Sequence, residues 1–250
     1  MLYSWSVWHL FRHVGSVRTR TEFQRQAIVE KHPHLEPYTE LLPTYYNLDI
    51  WRDLAPSFDL HEKYPQFKFI ILHISSMRPS SHSIEALLGT ARILKRYSTI
   101  GLVIVGNGPL RADLERQVIA LGLQGQVEFE PMPAEVISHM KTANVLVHLS
   151  EDSGEENLIL EGAVAKIPLV ASTTGIAGKL FVDGESACLC APGDISCIAD
   201  SINRYLNENQ ERSSFALTAS EIVFERIQQD YGAYLEAYRD SVERSMAIPS

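Results

Sequence analysis

Cysteine is scarce: Cys188, Cys190 and Cys197 are the only three in 250 residues, and no two of them form a C-x-x-C pair. That pattern indicates neither a zinc site nor a disulfide framework, and it reads as a reducing, cytoplasmic chain. No apolar run approaches the ~20 residues that cross a bilayer. Met1 to Val14 is too interrupted by His9, Arg12 and His13 for a signal-peptide core. Basic residues are also in deficit, 22 Lys and Arg against 31 Asp and Glu for a formal charge of -9, which argues against a general nucleic-acid binder. Two nucleotide signatures are missing as well. No G-x-x-x-x-G-K-[ST] occurs, and a G-x-G-x-x-G beginning at Gly106 fails because Arg111 stands where its last glycine belongs. Gly184 to Cys188 lacks the closing glycine of a nucleophile elbow. P-loop hydrolysis of nucleotides, dinucleotide-dependent redox chemistry and serine-hydrolase chemistry are therefore set aside. No His-rich metal site is visible; His148 reads as a hydrogen-bonded core histidine, and His32 and His34 receive no chemistry.

What is present is an ordinary globular composition, 45% hydrophobic and 21% charged. From Phe67 onward short apolar runs alternate with amphipathic stretches, the pattern of βαβ units and a parallel sheet. Strands are predicted at Phe69 to Ser75, Gly101 to Val105, Val127 to Phe129, Val145 to Leu149, Pro168 to Ser172 and Ala187 to Cys190. Between them, Ile84, Leu87, Leu88, Ala91 and Leu94 form one helical stripe, and Leu110, Leu114, Val118 and Leu121 another that stops at Gly122. The fold class is α/β, a Rossmann-like doubly wound parallel sheet. Three regions are expected: a small N-terminal part over 1–65, the sheet domain over 66–208, and C-terminal helices over 209–250 that pack back across the N-terminal part, one of them spanning Ile222 to Arg244. In the first region a short strand is predicted around Ser16 to Thr21, with a helix from Glu22. Trp5, Trp8 and Phe11 stand at helical spacing, as an inner helix face or a membrane-surface contact would.

Ligands of an open parallel α/β sheet bind outside the carboxyl ends of its strands, so the loops after Ser75, Val105, Leu149 and Ser172 are where chemistry is sought. Gly106-Asn107-Gly108-Pro109 would let a ligand approach the backbone; a tight turn closed by proline accounts for the same residues. The most informative stretch runs from Leu149-Ser150-Glu151-Asp152-Ser153-Gly154 through Glu155-Glu156-Asn157-Leu158-Ile159-Leu160-Glu161 to Pro168-Leu169-Val170-Ala171-Ser172. N–H groups opening a helix near Glu156 to Leu158 can hold a diphosphate, and Glu161 can accept from hydroxyls.

That unit resembles the donor-site signature of GT4-type glycosyltransferases, the glycosyl transferases group 1: a strand ending in P-S-x-x-E-G, a helix carrying E-A, then a strand P-V-V-A. Leu102 to Leu110 resembles the family's G-x-G-P loop, Gly184-Glu185 its D-G-E-T-G turn, and Leu42 to Asp49 its P-N-G-V-D segment. The resemblance implies the donor-binding half of a GT-B fold with a remnant of the N-terminal, acceptor-side domain. It also implies sugar transfer from a nucleoside-diphosphate sugar to an acceptor hydroxyl with retention, with no cofactor and no metal. It gives Glu161 a ribose role and a donor-binding set of Glu161, Asn157, Leu158, Glu156, Gly154, Ser153, Arg78, Ser81, Gly106 and Gly108. No catalytic residue is assigned.

Three positions depart from the family pattern. The carboxylate eight before Glu161 is Ser153, with Glu151, Glu155 and Glu156 nearby as substitutes only if the loop path changes, and the arginine and lysine set against the diphosphate are Ser76 and Ser81. Arg78 is the cation left in that loop, with His82 beside it. Family enzymes carry a whole further domain ahead of this region. The expectation is therefore a truncated or partner-dependent transferase working with a separate N-terminal-domain subunit, cytoplasmic or peripheral at the inner membrane face. The alternative is an inactive nucleotide-binding or scaffold module.

Overall fold

Phe69–Ile74 and Ile100–Val105 are buried at every position, and only His73 among their side chains is polar. Strands so apolar on both faces belong in a parallel sheet with helices on either side. In the computed structural model, which describes residues 16–20, 22–42, 44–150, 155–227 and 230–246, these segments are β3 and β4. They pair in parallel from Phe69 opposite Ile100 to Ile74 opposite Val105. β5 (Val127–Glu130), β6 (Val145–His148), β7 (Leu169–Ser172) and β8 (Cys188–Cys190) complete a six-stranded sheet of order β5-β4-β3-β6-β7-β8. All its pairings are parallel, and each strand lies within a residue or so of its predicted place. The chain steps outward from β3 through β4 to β5, then returns to lay β6 on the other side of β3. The strand order thus reverses between β3 and β6, which is where an open α/β sheet forms a ligand crevice.

Helices α4 (Ser83–Leu94), α5 (Arg111–Leu121), α6 (Ile137–Thr142), α7 (Glu156–Val164), α8 (Ala177–Leu180), α9 (Ile195–Asn207) and α10 (Asn209–Ile227) follow or join these strands. Leu87, Leu94, Leu114 and Val118 of the two predicted stripes join Ile71, Leu102 and Ile104 in the core. Each such side chain contributes about 1.5–3 kcal/mol by leaving water.

The chain divides into two compact units, Asn47–Ile227 and a smaller one made of Met1–Tyr46 with Gln228–Ser250. This differs from the expected boundaries at 65 and 208. Residues after Asn47 belong to the larger unit because they are stitched to α6. The Ser57 nitrogen donates to Ser138 Oγ at 2.9 Å and the Leu60 nitrogen to Thr142 Oγ1 at 3.1 Å, while Lys141 Nζ donates to the carbonyls of Arg52 and Leu54. Two short helices, α2 (Leu48–Asp53) and α3 (Leu60–Lys63), lie in this segment. At the other end, Phe215, Ala216, Ala219 and Val223 bury the inner face of α10.

In the smaller unit, β1 (Val17–Thr19) and β2 (Thr39–Leu41) pair in parallel, joined by α1 (Glu22–Lys31) and a 3-10 helix over Pro33–Tyr38. The unit also holds α11 (Tyr231–Met246): Arg18 Nε donates to Ser241 Oγ at 2.6 Å, Arg244 pairs with Glu40, and the Tyr45 ring stands 5.1 Å from that of Tyr231. The single helix predicted over Ile222 to Arg244 is instead divided between α10 and α11. Asp230 starts the second one, its carboxylate accepting from the Ala233 nitrogen at 2.8 Å as an N-terminal cap does. The aromatic positions Trp5, Trp8 and Phe11 lie outside the described residues.

One expectation is overturned outright. Cys190 and Cys197, read as unpaired, form a disulfide with Cα atoms 5.6 Å apart, while Cys188 is free and buried. The turn between them carries the chain from the end of β8 into the first turn of α9. Because that return is set by tertiary folding, the seven-residue spacing carries no local signature.

Candidate functional site

The loop after β3 is held by a buried polar chain. His73 Nδ1 bonds the Val147 carbonyl at 2.8 Å and its Nε2 bonds Ser83 Oγ at 2.9 Å. Ser83 Oγ lies 2.8 Å from Ser75 Oγ, which accepts from the Met77 nitrogen at 3.1 Å. Burial lowers the His73 pKa, so the ring serves as a neutral connector. Within this loop Met77 and His82 both take left-handed backbone angles, φ 48° and 50°.

The loop after β4 packs directly onto it. A Cβ on Gly106 would lie 1.9 Å from the Ser75 carbonyl oxygen, and one on Gly108 1.9 Å from that of Ser76. The Leu110 nitrogen donates to the Met77 carbonyl at 3.0 Å. What comes close to these two glycines is the chain's own backbone, so their residue type is explained by the contact between loops.

From the other side of the strand-order reversal, Glu155 reaches into the same place. Its Oε1 accepts from the Ser76 nitrogen at 2.6 Å and from Ser81 Oγ at 3.1 Å, and Ser81 Oγ lies 3.2 Å from Ser76 Oγ. Glu155 is buried. Burial works to raise its pKa, yet the Ser76 side-chain and backbone hydrogen bonds, a further one from Ser150 and the nearby His148 together hold it below the usual carboxylate value. The sequence marked Ser76 and Ser81 as missing cations and Glu155 as one of several nearby acids. That the acid meets both serines was hidden, because the contact joins residues 79 and 74 positions apart.

Beside Glu155 lies a small cavity lined by His148, Ser150, Glu156, Ile159, Ser172, Thr174 and others, with a volume of ≈ 10 Å³, room for about one water. His148 is 4% exposed, and its Nδ1 has no hydrogen-bond partner. Burial drives its pKa down to about 4, against the opposing pull of Glu155. It is a core histidine, as predicted, with one buried nitrogen left without a partner.

The other predicted donor residues are spread along these elements. Glu156, Asn157 and Leu158 form the first turn of α7, and the Leu158 nitrogen bonds the Glu155 carbonyl at 3.1 Å. Glu161 lies further along α7 on a half-buried position, apart from the residues lining the small cavity, and burial alone raises its pKa to about 7. Arg78 is exposed at the start of a 3-10 turn over Pro79–Ser81, and Ser81 is fully buried. Ser153 and Gly154 lie outside the described residues. A second polar cluster went unnoticed in the sequence: at the end of β5, Glu130 accepts from Tyr64 Oη at 2.7 Å and Lys63 Nζ at 2.7 Å, with His139 Nε2 at 3.2 Å. Among the described residues no group of three or more His, Cys, Asp or Glu could hold a metal, and no helix is long and apolar enough to cross a membrane.

A strand-end crevice fed by a glycine loop and a helix N-terminus is common to many nucleotide-binding proteins, so relatives decide the family. The family model for glycosyl transferases group 1 matches residues 68–208. The chain belongs to that family. Among curated relatives, N-acetyl-alpha-D-glucosaminyl L-malate synthase of Bacillus anthracis is 22% identical over 84% of this chain and 56% of its own length. The 2-deoxystreptamine N-acetyl-D-glucosaminyltransferase of Niallia circulans is 30% identical over 49% of this chain and 32% of its own. The chain thus spans less than two thirds of the length of these relatives. Among solved structures, Anabaena Alr3699/HepE in complex with UDP and glucose superposes with a TM-score of 0.79 at 19% identity, covering 93% of this chain and 64% of that one. The C-terminal domain of the group 1 protein LpcC from Francisella tularensis is matched over 100% of its length and 74% of this chain, with a TM-score of 0.65 at 19% identity. The fold of this group 1 member is accordingly that of GT-B glycosyltransferases, with the six-stranded sheet as its Rossmann-like half.

Proposed function

We propose that this chain is the donor-binding part of a retaining glycosyltransferase that moves a sugar from a nucleoside diphosphate to an acceptor hydroxyl. The observation that carries the reading is the convergence of the 75–82 loop, the 106–110 loop and the start of α7 on the strand-order reversal. In this reading the N–H groups of Glu156 and Asn157 hold the diphosphate, while that of Leu158 is given to the Glu155 carbonyl. Glu161 accepts from ribose hydroxyls, and Arg78 is the cation that steadies the departing diphosphate. Neutral Ser76 and Ser81 add hydrogen bonds without charge. The acceptor is held by residues beyond the matched region or by a separate N-terminal-domain subunit, since transfer needs both substrates at reaction distance.

A second reading, a nucleotide-binding scaffold without turnover, is favoured by one observation: a carboxylate stands against Ser76 and Ser81 where charge neutralisation of a diphosphate is wanted. Calorimetry with UDP, GDP and ADP, alongside a transfer assay with and without a candidate N-terminal partner, separates the two. Binding with partner-dependent transfer supports the first reading, and binding without transfer under either condition supports the second. No binding of any nucleotide sinks both. Arg78→Ala is expected to weaken nucleotide binding by about 1–3 kcal/mol, as loss of a charged hydrogen bond does; unchanged affinity removes Arg78 from the site.

A further inference from the structure

Neutral donors gather where β3 and β6 end: the Ser76 N–H and the hydroxyls of Ser76, Ser81 and Ser150. Together they make a seat for an oxyanion, and it lies at the point of the sheet where strand order reverses. The oxyanion in it is the chain's own. Glu155 directly precedes α7, yet its carboxylate makes no cap to that helix and instead crosses to the β3 loop, where it is 8% exposed.

We infer that Glu155 is a built-in competitor for this seat, an internal carboxylate that a phosphate group must displace before it can bind. The identity of the displacing group as a nucleoside diphosphate rests on the function proposed above; the competition itself rests on the seat. Two anions cannot share it. Its hydrogen-bond donors are uncharged, so a phosphate entering beside Glu155 meets a like charge in a buried place and finds the Ser76 and Ser81 donors taken. With Glu155 swung out, the same donors turn to the phosphate. Glu155 therefore sets how tightly the crevice holds its anion, and it selects ligands able to offset its displacement with contacts elsewhere, as a nucleoside carrying two phosphates can and a lone phosphate cannot.

The test is calorimetry on the full chain, with UDP and inorganic pyrophosphate as separate probes, for the wild type, Glu155→Gln and Glu155→Ala. Removing the charge is expected to tighten both ligands tenfold or more, and Ser81→Ala added to Glu155→Ala is expected to cancel most of the gain. Equal or weaker binding of both probes by variants that melt cooperatively overturns the inference. UDP bound equally by wild type and variants leaves the nucleotide reading standing and removes the competitor, whereas a gain for pyrophosphate with no nucleotide bound leaves the competitor and removes the nucleotide. The wild type gives a readout free of any substitution. Saturation with pyrophosphate is expected to shift the Ser76 amide resonance as its carboxylate partner is exchanged for phosphate, and an unmoved resonance in a ligand-saturated sample overturns the proposal.

Discussion

The carboxylate of Glu155 accepts from the backbone nitrogen of Ser76 at 2.6 Å, tying together the two strand ends between which the sheet reverses its order. Ser81 donates to the same oxygen and is completely buried. Replacing Ser81 with alanine removes a hydrogen bond to a charged group and is expected to cost about 1.5–3 kcal/mol in urea unfolding at neutral pH. The sign of the pH dependence follows from a folded pKa held below the ordinary 4.5. The contribution is present above that value and is lost as pH falls through the folded one. The difference between wild type and Ser81→Ala should therefore shrink in acid; a constant difference would mean that the serine acts by packing alone.

Gly108 and Gly122 separate two reasons for a glycine. A Cβ at 108 would sit 1.9 Å from the Ser76 carbonyl oxygen, so Gly108→Ala must push apart the two loops that build the crevice. A loss above about 2 kcal/mol is expected, in line with overpacking of a fixed contact. Gly122 ends α5 at φ 71°, and nothing lies within 4 Å of the place a Cβ would take, so alanine there meets only the left-handed backbone cost, about 1–2 kcal/mol. Thermal melts of both variants check the order, and a milder effect at 108 would show that the loops separate easily.

The disulfide makes a chemical prediction. Without reductant the unfolded chain should titrate one thiol, Cys188, and with reductant three. Closing so short a loop is worth at most about 2.5 kcal/mol in the chain-entropy account, so Cys197→Ser should lower stability by that much or less under oxidising conditions and by little when wild type is reduced. Three free thiols in protein purified without reductant would refute the pairing.

Legibility in the sequence followed the range of the interaction. The strands could be read because apolar runs such as Phe69 to Ile74 announce a twice-buried strand by themselves, and the most informative part of the family resemblance lay in one continuous stretch from Leu149 to Ser172. Local caps were harder: Asp230 breaks what otherwise scans as one amphipathic helix. Contacts between strand ends were not legible at all. Gly106 and Gly108 read as room for a ligand because nothing local says that Ser75 and Ser76 fill it, and Glu155 could not be told from Glu151 or Glu156 until β6 lay beside β3. The pairing of Cys190 with Cys197 is short in sequence, but it depends on the turn that brings the start of α9 back to the end of β8, which the spacing alone does not announce.

Glu161 should make the protein more stable in mild acid than at alkaline pH. Its helix packs against α2 and α10, and burial alone lifts its pKa from the ordinary 4.5 to about 7, with no hydrogen bond or ion pair opposing the shift. Between those two values the folded chain keeps a proton that the unfolded chain has released. Stability therefore falls as pH rises through this window, and above it the folded state carries the whole cost of a buried charge. Because the position is only half-buried, water screens part of that cost, and about 1–3 kcal/mol is expected. Glu161→Gln should be that much more stable than wild type at about pH 8 and nearly equal to it at about pH 4.5, measured by urea unfolding at each pH. If Glu161 accepts from ribose hydroxyls, it does so best as the anion, so nucleotide affinity in the wild type should rise from about pH 6 to about pH 8 while that of Glu161→Gln stays low and flat. A stability difference that ignores pH would show that the carboxyl is solvated, and a flat wild-type affinity alongside a pH-dependent stability would separate Glu161 from the ligand.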